Sequence, residues 1–145
     1  MPQADANLIV VEDNPTDAAL IGRVLRRNGM ADEAEFLSDG QALLNRLGLD
    51  TGKPENGGRR PPRLVLLDLK LPKVSGLEAL KTIDENDFLR NLPVVVLTSS
   101  SDPGDIRTAY SRGANSYVVK PVDAAQFNKK ITELISYWLQ TNLVA

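Results

Sequence analysis

The chain has 145 residues, 42% hydrophobic and 25% charged, with a net charge of -2 and neither cysteine nor histidine. That size and balance suit one globular domain with one core, and the small negative charge argues against a nucleic-acid partner, which needs a surplus of Lys and Arg. Disulfides, thiolate sites and imidazole chemistry are excluded, so any metal must sit among oxygen ligands, with Mg2+ or Ca2+ the natural candidates.

The N-terminal MPQADAN lacks the basic and apolar regions of a secretory signal. No apolar run approaches the ~20 residues of a membrane span, so a cytoplasmic protein without a membrane partner is expected. Residues 8–11 form a first apolar run, and 15–28 a helix with Leu20, Ile21, Val24 and Leu25 on one face, ended by Gly29. A weaker strand, edge or half-buried, is expected at 34–37, and a short helix at 39–47. Residues 48–63 read GLDTGKPENGGRRPPR, a loop insertion with four glycines and three prolines. Its Gly52-Lys53 is no phosphate loop, because Leu47 stands where the first glycine belongs and Pro54 follows the lysine. Arg59, Arg60 and Arg63 are expected to be solvated charge.

Apolar runs recur at 64–67, 94–97 and 117–119, separated by helical patterns at 75–83 and 102–111. The runs at 8–11, 64–67, 94–97 and 117–119 do not alternate with polar residues, which marks strands buried on both faces in a parallel sheet. The last helix is expected from 123 to about 142. Its Phe127, Ile131, Leu134, Ile135, Trp138 and Leu139 share a stripe. A twenty-residue helix is roughly 30 Å long against roughly 17 Å for a five-residue strand, so the end bearing Tyr137, Trp138, Leu139 and Leu143 should overhang the sheet. That apolar overhang predicts a homodimer contact. Five successive βα units with right-handed crossovers imply an open α/β sheet with helices on both faces.

Ligands bind at the carboxyl ends of such strands. There the sequence places Glu12 and Asp13, then Asp68, then Thr98, then Lys120 and Pro121. Three clustered carboxylates repel unless a cation joins them, and Mg2+ suits such oxygens. A carboxylate can attack phosphorus to give an acyl phosphate, with metal and lysine neutralising the phosphoryl oxygens.

These residues, in LVLLDLKLP, PKVSG, VVVLTSS and SYVVKP with the acidic pair Glu12-Asp13, resemble the response-regulator receiver domain of two-component systems along nearly the whole chain. The resemblance implies a flavodoxin-like doubly wound sheet of order 2-1-3-4-5. It implies that Asp68 accepts phosphate from a sensor histidine kinase. Asp13, Asp68 and the Lys70 carbonyl would bind Mg2+ directly, and Glu12 through water. Lys120 would pair with the phosphoryl group, Thr98 and Tyr117 would act as the switch, and Lys120-Pro121 would be cis as is common in the family. The finer resemblance, on Glu12 to Pro15, the loop insertion and LRNLPVVVLTSS, is to small receivers paired with bacterial phytochromes. Lys70 replaces the usual asparagine, which is expected to prolong the phosphorylated state. Only 24 residues (145 − 121) follow Pro121, so output is expected through protein contacts rather than an effector domain. The rivals are an aspartyl-phosphate phosphatase, which would carry its nucleophile after the first strand, and a degenerate receiver that binds partners without phosphate.

Overall fold

The sequence builds each βα unit from an apolar strand, a capping residue and an amphipathic helix. In the computed structural model, which describes residues 6–49 and 60–143, the units are β1 (Leu8–Val11) and α1 (Pro15–Arg27), then β2 (Ala34–Leu37) and α2 (Gly40–Arg46), then β3 (Leu64–Leu67) and α3 (Gly76–Asp84). They continue with β4 (Val94–Thr98) and α4 (Pro103–Ser111), then β5 (Ser116–Val119) and α5 (Ala124–Ile135). The strands pair in parallel in the order β2-β1-β3-β4-β5, as expected. Residues 50–59 of the loop insertion, with Gly52-Lys53 and Arg59, lie outside the described residues. Arg60 and Arg63 are exposed.

The period of two along each strand divides the core into two layers. Leu8 and Val10, Leu64 and Leu66, and Val95 and Leu97 pack on one face against Ile21, Val24 and Leu25 of α1 and Phe127 and Ile131 of α5. Ile9 and Val11, Val65 and Leu67, and Val94 and Val96 turn to Leu43 of α2, Leu80 and Ile83 of α3 and Ala109 of α4. Each such side chain stabilises the fold by about 1.5–3 kcal/mol on burial, which is why these strands carry no polar alternation.

Each of α1 to α5 begins at the carboxyl edge of the sheet with a polar cap. Asn14, Asp39, Ser75, Asp102 and Asp123 each accept a backbone N–H from the first turn of the helix that follows. Such a cap contributes about 1 kcal/mol, and it fixes where the strand-to-helix loops sit. α1 ends at Gly29, whose φ of 68° suits a residue without a Cβ.

Three expectations need correction. β5 is half-buried along its length rather than covered on both faces. It is an edge strand, as β2 is on the other side, and of α4 beside it only Ala109 is fully buried. The last helix is α-helical only to Ile135 and continues as a π-helical segment, Ser136–Thr141. There Leu139 is buried in the α1/α5 core and Trp138 packs against it. The wider π turn changes the helical period, so the expected overhang is reduced to Tyr137 and Leu143, 51% and 92% exposed. Finally, no described peptide bond is cis; Lys120-Pro121 has the trans form, the lower-energy isomer even before proline.

Candidate functional site

β1 and β3 are neighbours in register, Val11 opposite Leu67. The next residues, Glu12 and Asp68, therefore leave the sheet side by side, and the Asp68 N–H donates to the Val11 carbonyl at 3.1 Å. Carboxylate oxygens of Glu12, Asp13 and Asp68 lie within 4.8 Å of one another. Glu12 and Asp68 are buried and Asp13 is exposed, so the cluster opens to solvent on one side. An all-oxygen donor set at this spacing fits a hard divalent cation. Gly76 is needed behind it, because a Cβ there would collide with the Asp68 carbonyl.

Lys120 reaches into this cluster from the end of β5. Its Nζ lies 2.5 Å from Glu12 Oε1, 2.9 Å from Asp68 Oδ2 and 2.9 Å from Asp17 Oδ2. Burial alone would lower the lysine pKa, but hydrogen bonds to Glu12, Asp17 and Asp68 outweigh it and raise the pKa above the ordinary lysine value. Lys120 is therefore a permanent cation in the site. For Glu12, burial is the largest effect; it and the nearby Asp68 charge outweigh the Lys120 and Asn14 hydrogen bonds and push its pKa up to about 7.

The remaining predicted residues sit on the same edge with different partners. Thr98 is fully buried at the end of β4, and its Oγ1 accepts from the Ser100 N–H at 3.4 Å rather than meeting Asp68. The Tyr117 hydroxyl donates to the Ser100 carbonyl at 2.9 Å. Burial raises the Tyr117 pKa. Ser100 Oγ donates to Asp105 Oδ2 of α4 at 2.6 Å. Ser100 thus links the Thr98 hydroxyl, the β5 tyrosine and α4. The Lys70 N–H donates to Asp68 Oδ1 at 3.3 Å, and Lys70 is exposed.

Asp17 is the site residue that sequence reasoning missed. It occupies the third position of α1, and its signal was its placement: Cα–Cβ bonds tilt toward the helix N-terminus, which here is the functional edge.

Known proteins share this chain's sequence and fold. Residues 8–132 match the model of the response regulator receiver domain. The probable methanogenesis regulatory protein FilR2 of Methanothrix harundinacea is 45% identical over 135 residues, covering 93% of this chain and 84% of FilR2. Response regulator Rcp1 of Synechocystis sp. is 37% identical over 92% of this chain and 89% of its own; its Mn2+-bound crystal structure superposes with a TM-score of 0.85 at 33% identity, covering 99% of each chain. The phosphorylated cyanobacterial phytochrome response regulator RcpA gives a TM-score of 0.84 at 31% identity, over 97% of this chain and 99% of RcpA. With the motif residues of two-component receivers gathered at one sheet edge, the chain belongs to the response regulator receiver domain family.

Proposed function

We propose that the chain acts as a single-domain response regulator that accepts a phosphoryl group from a sensor histidine kinase on Asp68, with Mg2+ held by Glu12, Asp13, Asp68 and the Lys70 carbonyl. The observation that carries this reading is Asp68 itself, a buried carboxylate at a strand end within metal-sharing distance of two acids and 2.9 Å from a lysine. A carboxylate oxygen of Asp68 attacks the phosphorus of a phosphohistidine. The P–O bond forms as the P–N bond breaks, and the imidazole leaves with the electron pair and takes up a proton. Mg2+ held by these residues would supply positive charge to neutralise the transferring oxygens. Lys120, protonated throughout, pairs with one of them.

The response then spreads through Ser100. If the Thr98 side chain rotates about χ1 to bring its hydroxyl to a phosphoryl oxygen, Oγ1 moves away from the Ser100 N–H, and Ser100 also carries the bonds to Tyr117 and Asp105. Moving such an element from 1:99 to 99:1 needs about 5.5 kcal/mol of differential stabilisation. The chain works in this reading as a cytoplasmic signalling module and not as an enzyme with turnover. Among the described residues, no helix is long and apolar enough to cross a membrane.

The finer reading makes the kinase a bacterial phytochrome and the regulator a homodimer. The first rests on the likeness to RcpA, a phytochrome response regulator. The second is supported by a groove of about 500 Å3 along β5, lined by Leu134, Tyr137 and Trp138 among others, and by Tyr110 of α4, which is 49% exposed. Phosphotransfer profiling against purified histidine kinases tests the partner: a phytochrome kinase should load Asp68 faster than unrelated kinases, and equal or slower transfer would remove that assignment. Light scattering at ~50 micromolar, a concentration suited to a moderate interface, tests the dimer. A monomer with and without phosphate would end it.

A further inference from the structure

An ammonium group has three N–H donors, and Lys120 spends them on three carboxylates, Glu12, Asp17 and Asp68. Those acids are not equivalent. Glu12 and Asp68 belong to the cluster that fits a divalent cation, and Asp17 does not. Two of the three partners of Lys120 therefore serve two cations. When Glu12 and Asp68 also serve a metal ion, each carboxylate shares its charge between two cations, and its hold on the lysine weakens. Its side chain is only 9% exposed, so water replaces little of what it loses, and a buried charge left without partners is strongly disfavoured.

Asp17 is built to meet that need. The Asn14 cap accepts the Asp17 N–H at 3.1 Å, which holds this residue in the first turn of α1. Its carboxylate is 23% exposed and lies on the side of Lys120 that α1 provides. We propose that Asp17 is a positioning residue: it anchors the Lys120 ammonium to α1, so that Glu12 and Asp68 can bind the metal ion without losing the lysine from the site. The proposal rests on the reading that this cluster takes Mg2+. Without Asp17, Glu12 and Asp68 become the sole carboxylate partners of Lys120, and lysine and metal compete for them.

The test titrates Mg2+ alone into the metal-free chain and follows the backbone amide signals of Asp13 and Asp68. D17A should raise the Mg2+ Kd about tenfold, the scale seen when a group supporting metal ligands is removed. Loss of a nearby negative charge would also weaken binding, so D17A is repeated in a K120M background. If Asp17 acts through Lys120, the Kd of K120M and of the double variant should agree within about twofold. An equal loss in both backgrounds would show a bare charge effect and overturn the proposal, as would an unchanged Kd for D17A. A second readout does not require K120M to fold. With Mg2+ saturating, the Lys120 ammonium signal should stay protected from solvent exchange in the wild type and be lost in D17N, which keeps the shape of the side chain. A signal equally protected in D17N overturns the proposal. Failure of the wild type itself to bind Mg2+ would instead remove the reading beneath it.

Discussion

Replacing Lys120 by methionine keeps the length of the side chain and removes its charge. In the metal-free protein three carboxylates would then lose a cation now 2.5 to 2.9 Å away. Glu12 and Asp68 are 2% and 9% exposed at their side chains, Asp17 23%. Removing one partner of a buried ion pair costs about 3–5 kcal/mol, and solvent at Asp17 trims that, so a loss of about 3 kcal/mol is expected at pH 8. With a denaturant slope of about 2 kcal/mol/M, the urea midpoint should fall by ~1.5 M. Near pH 5.5 the loss should be smaller, because Glu12, which burial and the Asp68 charge push up to about 7 even against the Lys120 hydrogen bond, sheds its charge by taking a proton. Saturating Mg2+ should restore part of the midpoint at pH 8 by supplying another counter-charge. A metal-free K120M variant as stable as the wild type at pH 8 would refute the reasoning.

Other outcomes follow from single residues. Leu139→Ala should cost about 2–3 kcal/mol in urea unfolding, because Leu139 is buried in the α1/α5 core; a loss within experimental error would restore the overhanging end that the sequence suggested. In metal-free protein, Glu12 binds its proton more tightly folded (about 7) than at its ordinary value of 4.5. Its contribution to stability is therefore full below 4.5 and declines as pH rises to about 7. At 1.36 kcal/mol per unit that is at most about 3 kcal/mol, and a Glu12→Gln variant should lack this decline; an identical pH profile would count against it. Lys70→Asn should shorten the life of the acyl phosphate, since Lys70 sits two residues from Asp68 and can place a cation over the phosphoryl group. Slower phosphate loss in the variant would reverse that expectation.

Most of the fold was legible because its determinants are local. Three of the four unbroken apolar runs, 8–11, 64–67 and 94–97, reported burial on both faces, and Pro15, Asp39, Ser75, Asp102 and Asp123 marked helix starts at the sheet edge that carries the chemistry. Glu12, Asp13 and Asp68 could be placed together because a strand end is a fixed address in a parallel sheet, and the cluster confirms that address. Asp17 was missed for the opposite reason. An acid in the first turn of a helix is ordinary, favoured by the helix dipole alone, and only the three-dimensional approach of β5 to α1 brings Lys120 to it. The π-helical end was illegible too, because Tyr137, Trp138 and Leu139 carry no signal for a change of period; the packing of Leu139 against the core emerges only when α5 is seated on α1.

The central claim is that Asp68 receives the phosphoryl group, and intact-mass spectrometry after treatment with a small phosphodonor and Mg2+ tests it most directly. The account predicts that the wild type gains a single phosphoryl group, that chelating the Mg2+ abolishes the gain, and that Asp68→Asn gains none. Full modification of a folded Asp68→Asn variant, or a wild type that stays unmodified with Mg2+ present, would contradict it.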